Sequence, residues 1–192
     1  MQIFKTQRDV DQDTSTDWRN ESAFSSVYEY WRSKRTGHEL PLTTDIDLLA
    51  LIPWLPHLTL FDLLSYDEAI CRFVGTAITE RMGRDLTGQN VFPQQSIAMR
   101  KRTQKAYQTI INHPCGMVSC YTNHYSNGIH GMVRSLHLPL AAVQGTPPRL
   151  LGVVVREEKA DYLSPIEQTI SVTDVTSVEW VDIGLGVPSE KA

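Results

Sequence analysis

Two short runs, Leu58-Thr59-Leu60-Phe61-Asp62-Leu63-Leu64 and Cys71-Arg72-Phe73-Val74-Gly75, flank the turn-rich Ser65-Tyr66-Asp67-Glu68, and three more strand-like runs, 116–124, 132–140 and 150–156, follow a long helical stretch. This order constrains the fold more than any other feature of the chain. The first pair reads as an antiparallel hairpin and the last three runs as a meander, because β-rich runs bounded by turn residues pair with their neighbours. Asn127-Gly128 is a hairpin signal in the first bend of the meander, and Gln144-Gly145-Thr146-Pro147-Pro148 is a loop in the second. Between hairpin and meander, residues 76–82 read as a short helix closed by Gly83. Residues 94–112 read as the longest helix, with Ile97, Tyr107, Ile110 and Ile111 on one side and Arg100, Lys101, Arg102 and Lys105 turned outward. Pro114 ends it. The expected architecture is α+β, one five-stranded antiparallel sheet with helices packed on one face.

Ahead of the hairpin, Phe24, Val27, Tyr28 and Trp31 fall at i, i+3, i+4 and i+7, which predicts one apolar helical stripe with Gly37 as its stop. That stripe must pack on something. A stripe this aromatic also suits the core of a dimer contact, so Phe24, Tyr28 and Trp31 are candidate interface residues, with Arg32, Lys34 and Arg35 at the rim. Thr44 or Asp45 can cap a short helix through Leu48, Leu49, Leu51 and Ile52, stopped by Pro53 and Pro56. Residues 1–20, polar with scattered apolar side chains, read as a loose arm. The domain is expected over 21–160. Residues 161–192 form a C-terminal extension in which 168–181, rich in Val, Ile and Thr, can add one strand.

With 41% hydrophobic and 21% charged residues in 192, the chain can build one real core. Eighteen Lys and Arg against 22 Asp and Glu leave a net charge of −4, which gives no field to attract a phosphate backbone, so no nucleic-acid partner is expected. The most apolar stretch, 48–64, is broken by Pro53, Pro56, His57 and Asp62, well short of the roughly 18 residues a membrane helix needs. The N-terminus lacks the apolar core of a secretory signal. A cytoplasmic location follows by default. Three cysteines, Cys71, Cys115 and Cys120, are an odd number in a chain that can hold itself by burial, so reduced thiols are expected.

His113, Cys115, Cys120 and His124 invite a zinc reading. Cys115 and Cys120 are five apart, however, so in a strand they point to opposite faces, and isolated cysteines more often serve as small buried hydrophobes. No metal site is assigned. Nothing selects one of His113, His124, His130 and His137 as a haem ligand, and no reactive-cysteine signature of a light sensor is visible. The cofactor is left unknown. Nucleophile-elbow, phosphate-loop and zinc-protease motifs are absent, and Asp45 and Asp47 look like a helix-start cap rather than an acid–base pair.

Tyr30-Trp31, Leu40-Pro41, Asp45-Ile46-Asp47, Leu55-Pro56, Arg72-Phe73-Val74-Gly75-Thr76, Gly83-Arg84-Asp85-Leu86-Thr87-Gly88 and Leu138-Pro139-Leu140 together resemble the stand-alone PAS-like family of alphaproteobacteria, from about Phe24 to Arg156. Asp182-Ile183-Gly184 is similar to that family's ending. The resemblance implies a PAS-like sheet in the order 2-1-5-4-3, a small-molecule cavity between sheet and helices, and a sensing or protein-pairing role without a reaction of its own. Early in the strand leading to Leu138, where that pattern has an acid, this chain has Arg134-Ser135. Alternation along the strands offers Phe61, Phe73, Tyr121, Arg134 and His137 as ligand-binding candidates. The expected function is therefore a non-catalytic sensory or regulatory module of bacterial signalling, with a small-molecule ligand, a protein partner, or a second copy of itself. Two rivals stand beside it: a small α+β enzyme with His137 or an Asp as general base, and a purely structural interaction domain with a filled core.

Overall fold

A computed structural model describes residues 17–125, 128, 130–156 and 170–189. The hairpin is β1 (Leu58–Ser65) and β2 (Glu68–Val74), and the meander is β3 (Gly116–Tyr125), β4 (His130–Leu140) and β5 (Arg149–Arg156). A further strand, β6 (Ile170–Val181), pairs with the outer edge of β3. The sheet order is β2-β1-β5-β4-β3-β6 and every pairing is antiparallel. The first five places match the order expected from the resemblance. The strand count does not: among the described residues there are six strands where five were expected, because the Val- and Thr-rich extension joins the sheet.

Among the described residues three α-helices accompany the strands: α1 (Ser22–Ser33), α2 (Thr76–Met82) and α3 (Ile97–Asn112). Side chains alternate across a sheet, and on β5 Leu151 and Val153 join one apolar cluster while Leu150 and Val154 join others on the opposite face. On the first face lies α1, whose Ala23, Phe24, Val27 and Trp31 pack on Leu136, Leu138, Leu151 and Val153. On the second face α2 brings Ile78 to Val133 and Val154, and α3 brings Ala106, Tyr107 and Ile110 to Phe61, Met117 and Leu150. The helices cover both faces, not one. The central strands are apolar on each side, so each side must be removed from water.

This packing corrects the interface reading of α1. Phe24 and Trp31 are fully buried within their own chain, and half-buried Tyr28 stacks on Trp31 at 6.0 Å and meets the edge of Trp18 at 5.1 Å. Trp31 Nε1 donates to the Pro139 carbonyl at 2.8 Å, which satisfies the indole N–H inside the core. Burying a side chain such as Phe24 or Val27 contributes about 1.5–3 kcal/mol, so Phe24, Val27 and Trp31 of the stripe are spent on the chain's own sheet. Trp18, within the stretch expected to be a loose arm, is buried in the same cluster from a 3-10 turn, Trp18–Asn20. Residues 1–16 of that arm lie outside the described residues, as does Asn127.

Several boundaries differ for local reasons. Helix α1 stops at Ser33, four residues before Gly37. Leu48–His57 is a 3-10 segment that continues through Pro53 and Pro56 with a kink at Leu51, since short 3-10 turns depend less on the backbone donors that proline lacks. Its cap is neither Thr44 nor Asp45 but Asp47, whose Oδ1 accepts from Leu49 N–H at 2.9 Å. The long helix begins at Ile97, where Ser96 Oγ accepts from Met99 N–H, after a separate turn at Phe92–Gln94.

Candidate functional site

Between the sheet's second face, α2 and α3 there is a cavity of about 1260 Å³. Much of its wall is apolar, from Ile78 and Met82 on α2, Met99 and Ala106 on α3, and Phe61, Met117 and Val154 on the strands. The loop between α2 and α3 closes one side. Gly83 stands at φ 67°, a left-handed conformation that ends α2 without a side-chain penalty. Beyond it the loop is laced to the edge of β2: Gly88 N–H donates to Cys71 O at 2.7 Å and Val91 N–H to Ala69 O at 2.9 Å. Arg84 and Leu86 of this loop reach the cavity.

The floor carries a polar track. His137 on β4, Gly152 on β5 and Thr59 on β1 are direct cross-strand neighbours, and the row below holds Ser135 opposite Ser119, their hydroxyls 2.7 Å apart. Gly152 is required by space here. A Cβ on it would stand 2.2 Å from Thr59 Oγ1 and 3.1 Å from His137 Nε2, so the hydroxyl and the imidazole lean together over a strand that offers no side chain of its own. Both residues are more than nine-tenths buried, yet Thr59 Oγ1 and His137 Nδ1 have no hydrogen-bond partner among the described residues. Buried polar groups are almost always paired. Two orphans facing one cavity are the mark of a site that a ligand completes.

Rings surround this end of the track. Phe61 and Tyr107 lie with their centroids 6.4 Å apart and each 6.0 Å from the His137 ring. Burial among them lowers the His137 pKa to about 4, so the imidazole is neutral at physiological pH, with one nitrogen to donate and one to accept. Burial also pushes the Tyr107 phenol upward, and it pushes the Cys71 thiol to about 11, with the charge of Asp85 adding to the effect. That leaves Cys71 a protonated, unreactive wall residue. At the other end Tyr121 lines the cavity, its pKa raised by burial and drawn back by nearby Arg81.

Of the five residues expected to bind a ligand, the fold brings Phe61, Tyr121 and His137 to this cavity. Phe73 and Arg134 lie on the opposite face. A bulge in β2, with Arg72 as the extra residue between the Leu60–Phe73 and Phe61–Cys71 pairs, puts Phe73 on the opposite face to Cys71, so Phe73 turns away from the cavity with Leu60. Arg134 is three residues from His137, an odd offset that sends it to the other side, where its guanidinium sits 5.6 Å over the Phe24 ring. Thr59, Ser119, Ser135 and Gly152 were missed. The signal was there, since small polar residues at every second place of otherwise apolar strands break the pattern of a filled core. Arg81 carried no such signal, because its position depends on where α2 lies.

Among the described residues no three His, Cys, Asp or Glu side chains are grouped to hold a metal ion, and no helix is long and apolar enough to cross a membrane. The model of the PAS domain matches residues 19–155, well over half of the chain. The chain belongs to the PAS domain family. No curated protein matches it. Among solved structures it is similar to a fungal LOV domain photoreceptor, at 16% identity over 73% of this chain and 98% of that one with a TM-score of 0.43. It is also similar to the VqmA dimer of Vibrio cholerae, at 15% identity over 58% and 52% with a TM-score of 0.45. Those likenesses are too distant to carry a ligand or cofactor across. The sensory and signalling character of PAS domains is the coarse functional statement that family membership supports.

Proposed function

We propose that this PAS domain is a non-catalytic sensory module that binds a small molecule in the cavity beneath α2 and α3 and passes its state to a protein partner, a second copy of the chain included. The observation that carries the reading is the pair of buried, unpartnered polar atoms, Thr59 Oγ1 and His137 Nδ1, facing a cavity of about 1260 Å³. Apolar walls with a few convergent polar groups are what a small-ligand site requires. A filled structural core has neither the space nor the orphans. We place the protein in the alphaproteobacterial PAS-like group on the strength of the Arg72-to-Thr76 and Gly83-to-Gly88 strings, and in the cytoplasm by default.

The enzyme rival would use His137 as a general base, and a buried histidine with a displaced pKa in the cavity is the feature that speaks for it. Two facts speak against it. A base with a pKa of about 4 is poorly matched to proton abstraction near neutrality, and no carboxylate orients it, because its Nδ1 has no partner among the described residues. A neutral imidazole in this setting is a hydrogen-bonding group. Native mass spectrometry of the protein purified from its own host tests the proposal: a retained small molecule, released on denaturation, is the expected result. A bare polypeptide mass with no molecule recovered would contradict it and favour the structural reading.

A further inference from the structure

The cavity's charges are not those of the chain. Acids outnumber bases in the sequence, 22 to 18, yet among the described residues Arg81, Arg84, Arg102 and Lys105 line the cavity and no Asp or Glu does. The nearby acids are exposed and occupied, Asp85 by the Thr87 backbone N–H at 2.8 Å and Asp182 by those of Gly184 and Gly186 at 2.7 and 3.0 Å. Three of the cations lie at the solvent-exposed rim, where Arg102 also donates to the Val175 carbonyl. Arg81 differs: it is half-buried beside Tyr121, and its Nε is shielded from solvent with no hydrogen-bond partner among the described residues. A charge-bearing donor held out of water without an acceptor calls for an anion, since hydrogen bonds to charged groups are the strong ones.

Gln95 Oε1 and His113 Nε2 are also unpartnered in the cavity wall, but Arg81 and the Thr59–His137 pair are separated along the sheet. Tyr121 pairs with Val133, and Thr59, Gly152 and His137 form a row four residues along β4. At about 3.3 Å per residue the two ends stand roughly 13 Å apart. Between them the cavity offers Ile78, Val154 and the Ser119 and Ser135 hydroxyls, which already bond one another.

We infer that the ligand is an elongated amphipathic carboxylic acid, with its carboxylate on Arg81 beside Tyr121 and an uncharged hydroxyl or carbonyl at its far end on Thr59 and His137. The inference rests on the cavity being a ligand site and names the class of ligand.

The test is isothermal titration calorimetry of the full chain with three probes: ω-hydroxydecanoate, the corresponding decanediol, and decanoate. The hydroxy acid should bind about tenfold or more tighter than the diol. Arg81→Gln should abolish that preference by weakening the hydroxy acid far more than the diol, while Arg81→Lys should retain part of it. Thr59→Val should remove the advantage of the hydroxy acid over decanoate. Arg134→Gln, on the far face, should alter none of these ratios. A diol that binds as well as the acid, or an acid preference that survives Arg81→Gln, overturns the inference while the ligand site stands. If no probe binds, a molecule retained in native mass spectrometry decides: a neutral one overturns the inference, a carboxylate supports it, and no retained molecule at all removes the ligand site and the inference together.

Discussion

His137 couples the site to stability through its proton. Its folded pKa, about 4, lies below the 6.5 of a free imidazole, so on acidification the unfolded chain takes up the proton first. The neutral, buried form therefore stabilises the fold fully above about pH 6.5, and this contribution is lost as the pH falls from there towards 4. Urea denaturation at pH 7 and pH 5 should show wild type losing about 2 kcal/mol more than His137→Gln over that interval. Equal losses in the two proteins would mean that the imidazole is not buried as described. At this scale the sequence was legible only where register was simple. Phe61, Tyr121 and His137 could be placed by alternation, but Phe73 could not, because the β2 bulge at Arg72 is invisible in residue types. Arg134 was legible in principle, since its odd offset from His137 excludes a shared face.

Among the elements, α1 shows where pattern and partner part company. Its 3.6-residue stripe was readable, and so was the need to bury it, but nothing in the stripe says whether the covering surface belongs to the same chain. The answer lies on the strands: Leu136 and Leu138 of β4 alternate with His137, and Leu151 and Val153 of β5 alternate with Gly152, so one face is apolar enough to require α1 and the other polar enough to face a cavity. Trp31→Ala should therefore cost about 3–5 kcal/mol in chemical denaturation and leave the oligomeric state in light scattering as it is in wild type. A stable variant with altered stoichiometry would return α1 to the role of an interface. Strand β6 was legible from its Val- and Thr-rich composition, and the hairpin, α2 and the meander from their turns. The 3-10 segment Leu48–His57 was not, because two prolines that stop an α-helix are tolerated in tighter turns.

For the whole molecule, a sheet with one face sealed and the other held open is a division of labour. α1 and its neighbours supply the dry core, so α2, α3 and the loop at Gly83 can stand off the second face and leave space over Thr59, Ser135 and His137. Loss of filled core on one side is offset by full burial on the other. The family and its sheet order were legible from short strings of residues, whereas the cavity's volume, its orphaned atoms and its cationic lining exist only once the helices are placed in space. Two-dimensional amide NMR during titration with ω-hydroxydecanoate examines the ligand site directly. Shift changes should concentrate on Thr59, Phe61, Tyr121, Ser135, His137 and Gly152 and spare Phe24, Phe73 and Arg134; changes centred on the α1 face would contradict the account.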